Sequence, residues 1–134
     1  MACSLLLMAL SVGPAFSGAS AHPSGAAAQT EAFATCAGRF SAVAARQVAQ
    51  KDPASERTTR MEHDFDALVD AVLPLAVENG INPRSARHWR VAGWTEMAHL
   101  MRLHYSRKDL SRAERAGRAI ERRLATCARM ILPG

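Results

Sequence analysis

An all-α fold, an antiparallel up-down four-helix bundle stapled by one disulfide, is predicted by three features of the 134-residue chain. Four stretches carry apolar residues at spacings of three and four, the repeat of a helix with one buried face. Proline, glycine, asparagine and serine stand between those stretches at positions that start or stop helices. Once an N-terminal export signal is removed the chain keeps two cysteines, Cys36 in the first stretch and Cys127 in the last, and an even count in an oxidising compartment reads as a bridge. Neither strand-like alternation nor an internal repeat competes with this reading.

The first helix is expected from about Glu31 to Gln50, with Phe33, Cys36, Ala37, Phe40, Ala44 and Val48 on one face. Asp52 then accepts from the orphan N–H groups of the next helix, and Pro53 fits its first position. The second helix, Pro53 to about Glu78, aligns Met61, Phe65, Leu68, Val69, Val72 and Ala76, and turns Glu62, Asp66 and Asp70 toward the other side. Pro74 removes a backbone donor and clashes with the preceding turn, so a kink or an early end is expected there. In the run from Asn79 to Pro83, Gly80 suits a left-handed C-terminal cap, Asn82 the next N-cap and Pro83 the first turn.

The third helix, Pro83 to about His104, lines up Ala86, Trp89, Gly93, Met97, Leu100, Met101 and His104. Gly93 costs about 1 kcal/mol of helix propensity relative to alanine, which points to close approach by a neighbour. The fourth helix starts near Ser111, where Ser111-Arg112-Ala113-Glu114 matches a capping box with Leu110 just outside it. Its stripe is Ala113, Gly117, Ile120, Leu124, Cys127 and Ile131. Short connections make successive helices antiparallel, so the first begins and the last ends at the same pole. Cys36 and Cys127, both on apolar stripes, meet there and staple an alanine-rich core.

Residues 1–21 read as a signal peptide: an apolar run from Cys3 to Val12, a Gly13-Pro14 breaker and the small triplet Ala19-Ser20-Ala21. Cleavage is expected after Ala21, or alternatively after Ala28, where Ala26-Ala27-Ala28 repeats the pattern. No Lys or Arg precedes the apolar run, so its positive end is the N-terminal amine, unless a start codon lies upstream. Residues 22–29 are then a flexible leader and residues 30–134 the bundle domain, with no membrane span in the mature chain and a periplasmic or secreted location. A cytoplasmic helical adaptor is the alternative if the N-terminus is not a signal.

Charge is divided unevenly. Residues 22–80 carry five Arg and Lys against eight Asp and Glu, whereas residues 81–134 carry twelve against four. Arginine outnumbers lysine fifteen to two, as a GC-rich coding bias produces. No Cys-x-x-Cys, haem-attachment, His-Glu-x-x-His, Gly-x-Ser-x-Gly or phosphate-loop pattern occurs, and Glu-x-x-His occurs once, at Glu96 to His99, where a di-iron site needs it on two helices. Redox, haem, zinc, di-iron, acyl-transfer and nucleotide chemistry therefore lack their full residue sets. The consecutive Glu62-His63-Asp64-Phe65-Asp66 fans around a helix instead of converging. No catalytic residue and no cofactor is expected.

Two faces remain as candidate sites. No metal site is expected outright, but Met97, Met101 and His104 fall on one helix face and offer two thioethers and an imidazole, a soft set that suits Cu(I). The ordinary use of such methionines is to fill irregular core space. Arg112, Arg115, Arg118, Arg122 and Arg129 line the outer face of the fourth helix, able to present guanidinium groups to phosphates or carboxylates of lipid headgroups, envelope polysaccharide or an acidic protein. A solvated face, bridging to the acidic side of the second helix, is the commoner reading. Nucleic acid is not expected as a partner, because export argues against it and aromatics are not interleaved for stacking. Trp94, some 80–90° from the apolar stripe, packs at a helix boundary or marks an exposed patch.

The segment Thr35-Cys36-Ala37-Gly38-Arg39-Phe40-Ser41-Ala42, followed by the single C-terminal Cys127, resembles small uncharacterised exported helical proteins of alphaproteobacterial type. That resemblance implies export and lends no catalytic residues. The chain is therefore read as an exported, non-enzymatic helical bundle acting through protein or envelope contacts, with copper binding and anion binding as its rivals.

Overall fold

The structure, a computed structural model, describes residues 25–132. The signal segment, Cys3 and His22 lie outside the described residues. Four helices follow in order, α1 (Ala26–Ala49), α2 (Ser55–Glu78), α3 (Ser85–His104) and α4 (Leu110–Ile131). Successive helices run antiparallel, α1 packing on α2 and α3 on α4 while α2 and α3 barely touch, and none is long and apolar enough to cross a membrane.

Helix ends follow local chemistry. Gly25, with φ of 89°, precedes α1, so residues 26–29 form its first turn instead of a leader, and cleavage after Ala28 would cut inside the helix. Thr30 is fully buried, and its hydroxyl donates to the Ala26 carbonyl. At the far end Asp52 N–H reaches the Gln47 carbonyl and Lys51 N–H that of Val48, with Lys51 at φ 56°. The same paired bonds close α2: Ile81 N–H to Ala76 and Gly80 N–H to Val77, with Gly80 at φ 95° as expected. Pro74 neither ends nor shortens α2, which runs one further turn to Glu78 with the ring on the exposed side. Asp52 and Asn82 each accept from the N–H two residues on, so they shape the entry turns ahead of α2 and α3. The α4 cap is Asp109, not Ser111: its carboxylate takes the Arg112 N–H and the Ser111 hydroxyl, and these bonds hold its pKa below the usual 3.8. Ser111 thus lies inside the first turn.

Helix α1 is the hub. It packs along α2 on one side and along the parallel α3 on another, while α4 lies over α3 and touches α1. Two of its faces are therefore buried. One holds Cys36, Ala37 and Phe40 against α2 and α4; the other holds Ala34, Gly38 and Ala42 against α3. Val48, expected on the core face, is 61% exposed.

Between α1 and α3 the backbones touch. A Cβ on Gly38 would stand 1.9 Å from the Arg90 carbonyl oxygen, and one on Gly93 would stand 2.1 Å from that of Thr35. Glycine is the residue that permits such an approach. On the other side of α1, Phe65 is wedged between Phe33 and Phe40, with ring centroids 6.2 and 5.8 Å away. Ala42, Met97 and Met101 form a second core, and Leu124 packs against both.

Cys36 and Cys127 are disulfide-bonded, with Cα atoms 5.6 Å apart and both residues buried. Because α1 begins at Ala26, Cys36 lies nearly three turns in, so the bridge ties α4 to the body of α1. It closes a loop of 91 residues, which the chain-entropy model values at about 4–5 kcal/mol.

Strong reductant is expected to lower the melting temperature by roughly 15 °C or more, read by circular dichroism; an unchanged midpoint would remove the bridge from the stability of the fold. In the glycine series, Gly38→Ala and Gly93→Ala each cost at least about 3 kcal/mol, since each Cβ meets backbone. Gly117→Ala meets only the movable His104 ring and costs about 1 kcal/mol or less. Equal losses at the three positions would contradict the backbone contact.

Candidate functional site

The outer face of α4 carries Arg112, Arg115, Arg118, Arg122 and Arg129, all exposed. Ala113, Ala116 and Cys127 anchor the opposite face in the core, which fixes the direction of the arginines. From Arg112 to Arg129 the row runs about 25 Å. Its side-chain contacts stay within α4: Arg115 donates to the Ser111 hydroxyl, Arg129 to that of Thr126, and Arg118 is 3.9 Å from Glu114. Glu114, four residues before Arg118, is placed for this intrahelical pair by spacing alone, and exposed pairs of this kind contribute about 0–1 kcal/mol. No bridge from this face to the acidic side of α2 occurs among the described residues.

The acidic side of α2 is answered by α3 instead. Arg90 donates to Asp66 at 2.7 Å and to Glu62 at 2.6 Å, joining two helices whose backbones barely meet. Burial, reinforced by Glu62 and Asp70, lifts Asp66 above its usual 3.8 despite the Arg90 contact. Phe65 points into the core and His63 and Asp64 outward, so the acidic run fans around α2 as its spacing requires.

A second network joins three helices. Glu96 of α3 accepts from Arg39 of α1 through Nε at 2.9 Å and Nη2 at 2.7 Å, and from Arg123 of α4 at 2.6 Å. Arg39 also directs Nη1 toward the Cys127 sulfur at 3.7 Å. Burial acts to raise Glu96, but the hydrogen bonds from Arg123 and Arg39 outweigh it and hold the carboxyl below its ordinary 4.5. None of these three residues stands out in the sequence, because each finds its partner on another helix.

Met97, Met101 and His104 are divided by the fold. Met97 is fully buried and Met101 nearly so, both packed with Ala42, Val43, Ile120 and Leu124. His104 is exposed, lies against Gly117, and places Nδ1 3.1 Å from the Ala113 carbonyl oxygen, a contact that requires the Nδ1–H tautomer. Among the described residues no three His, Cys, Asp or Glu side chains converge as a metal set.

Beside His104 opens a cleft of about 180 Å³, bounded by the ends of α1 and α3 and the middle of α4. Val43, Met101 and Ile120 supply an apolar floor; Arg46, Gln47, Asp52, Tyr105 and Glu121 stand around it. The Arg46 guanidinium carbon lies 3.5 Å from the centre of the Tyr105 ring. Arg46 Nε and Gln47 Oε1 are buried without hydrogen-bond partners, at a typical cost of about 1–3 kcal/mol each. Elsewhere, Val91 and Trp94 are exposed on α3, so Trp94 is on the surface and not sealed at a boundary.

No protein-family model, curated protein or solved structure matches the chain.

The Glu96 network carries a pH signature. A carboxyl held below its ordinary value stabilises the fold above that value and loses the contribution as the pH falls through the depressed one. Glu96→Gln is expected to lower the melting temperature by a few degrees at neutral pH and to flatten its decline between about pH 5 and pH 3. Parallel acid limbs in the two proteins would show that Glu96 does not set the slope.

Proposed function

We propose that this chain is an exported, non-enzymatic helical binding protein, periplasmic or secreted, which meets an anionic component of the cell envelope through Arg112, Arg115, Arg118, Arg122 and Arg129. One contrast carries the reading. Arg39, Arg90 and Arg123 each donate to a carboxylate on another helix, whereas the five arginines of the α4 face make no such contact among the described residues. The fold spends its interhelical carboxylates on the first group and leaves the second in solvent. A straight row of guanidinium groups on a helix anchored by a disulfide keeps its spacing and presents phosphate or carboxylate partners with paired donors.

Export is supported by the Cys36–Cys127 bridge, since such bonds persist in oxidising compartments, and by the resemblance of the Thr35–Ala42 segment. The remaining chemistry is consistent with binding: the acid–base groups that do converge, around Glu96 and Arg90, are consumed by ion pairs that hold helices together.

Sedimentation with phosphatidylglycerol vesicles tests the reading. The mature protein is expected to bind at low salt, to ignore pure phosphatidylcholine, and to lose roughly 100-fold in affinity when Arg115, Arg118 and Arg122 become Gln, at about 1 kcal/mol per arginine. Equal retention by the triple variant, or none by the parent protein, overturns the role of the face. The mass of protein from its native host is expected to lack the signal residues and two hydrogens; an intact Met1 overturns export.

A further inference from the structure

Beyond the arginine face, we propose that the cleft between the ends of α1, α3 and α4 is a binding site for a small organic cation, a primary amine or guanidinium attached to a compact apolar body. Four independent features of the cleft select that chemistry.

Charge is the first. Asp52 and Glu121 bring two carboxylates to the lining against the single guanidinium of Arg46. The second is the helix termini. Because α1 and α3 run parallel, their C-terminal ends at Ala49 and His104 lie at the same pole, and their last turns, the negative ends of the helix dipoles, form part of the cleft wall. The third is the aromatic face of Tyr105, which already holds a cation: the Arg46 guanidinium, 3.5 Å from the ring centre. The fourth is the incomplete pairing at Gln47, whose buried Oε1 receives no donor from the chain. Once the adjacent Arg46 side chain leaves, an N–H of the bound ammonium or guanidinium supplies that donor.

Arg46 is then a tethered occupant. Its Nε has no acceptor where it stands, so the side chain gives up only the ring contact when it swings out to solvent. The incoming cation takes its place over Tyr105, and its apolar body rests on Val43, Met101 and Ile120. Gly117, on the α4 side of the cleft, lets the His104 ring lie directly against the helix. In size the cleft, about 180 Å³, is comparable to cavities of about 150 Å³ that accept benzene.

Titration of the intact oxidised protein with benzylamine, followed by amide chemical shifts at pH 7.5 (about one unit above the ordinary histidine value), tests the site. The expected result is saturable binding in the range of about 1 mM or tighter, with shifts centred on Gln47, Met101, Tyr105 and Glu121. Benzyl alcohol and benzoate, which share the ring but not the cation, bind at least about tenfold more weakly. The exposed substitution Glu121→Gln, combined with Asp52→Asn, weakens benzylamine by at least about tenfold, and Arg46→Met strengthens it by removing the internal competitor. Absence of saturation up to about 10 mM, equal affinity for benzyl alcohol, tighter binding of benzoate, or an affinity indifferent to Glu121 and Asp52 would each overturn the proposal. Only shifts at Gln47, Met101 and Tyr105 are counted as cleft binding, so benzoate held by the exposed arginines of α4 is told apart by where its shifts fall, and the two readings stand or fall separately.

Discussion

Where Gly38 and Gly93 omit a side chain, the backbones of α1 and α3 come into direct contact, and the placement of everything else depends on that contact. Helices normally meet through interlocking side chains, with axes about 8–10 Å apart. Here the two parallel helices form an inner pair, and the antiparallel α2 and α4 are left to cover it. With α1 at the centre, its alanines at 34, 37, 42 and 44 are all buried, so small residues fill positions that a looser bundle gives to leucine. The larger side chains come in from outside: Phe65 from α2, and Leu124 and Ile120 from α4. The Cys36–Cys127 bridge then secures the helix that has the least backbone contact with the hub.

The same contact organises the charges. Drawing α1 and α3 together brings Arg39 beside Glu96 and leaves room for Arg123 to reach the same carboxylate from α4. It also sets Arg90 on the flank of α3 that faces α2, where Glu62 and Asp66 receive it. Carboxylates between helices are scarce in the basic half of the chain, and Glu96 serves two arginines at once. The remaining arginines of α4 stay in solvent for want of an acid within reach on another helix. At the far pole the parallel helices end side by side, and the gap that α4 leaves there becomes the cleft over Tyr105.

The sequence was informative wherever a feature depends on a single segment. Four helices, their order, the Gly80 cap and the Arg118–Glu114 pair follow from short-range periodicity and backbone preference. The close approach at Gly93 was legible because glycine inside a helix needs a reason. Its counterpart Gly38 was not, although Ala34, Gly38 and Ala42 at four-residue spacing carry the same signal, because the stronger stripe of Phe33, Cys36 and Phe40 draws attention to one face of α1. The Ser111 cap was misplaced because Asp109 is an equally good cap two residues earlier, and its carboxylate is the one that takes the Arg112 N–H. Pro74 shows the reverse, since tertiary packing carries α2 through a residue that disfavours it.

Of the candidate sites, the arginine row was legible in full, because a helical face is a property of one helix. The cleft was invisible, because Arg46, Asp52, Tyr105 and Glu121 come from different elements and no local spacing relates them. Met97, Met101 and His104 share a face in sequence, yet the fold buries the first two and leaves the third at the rim. By itself the sequence determined that the chain is helical, that its two later cysteines lie on buried faces, and that its basic charge gathers on the last helix. Tertiary structure decided that α1 is the hub, which arginines hold the fold and which remain in solvent, and where a cavity opens. The division has one physical cause: helix formation and amphipathicity are set by residues three and four apart, whereas ion pairing, backbone contact and cavities are set by distances between helices.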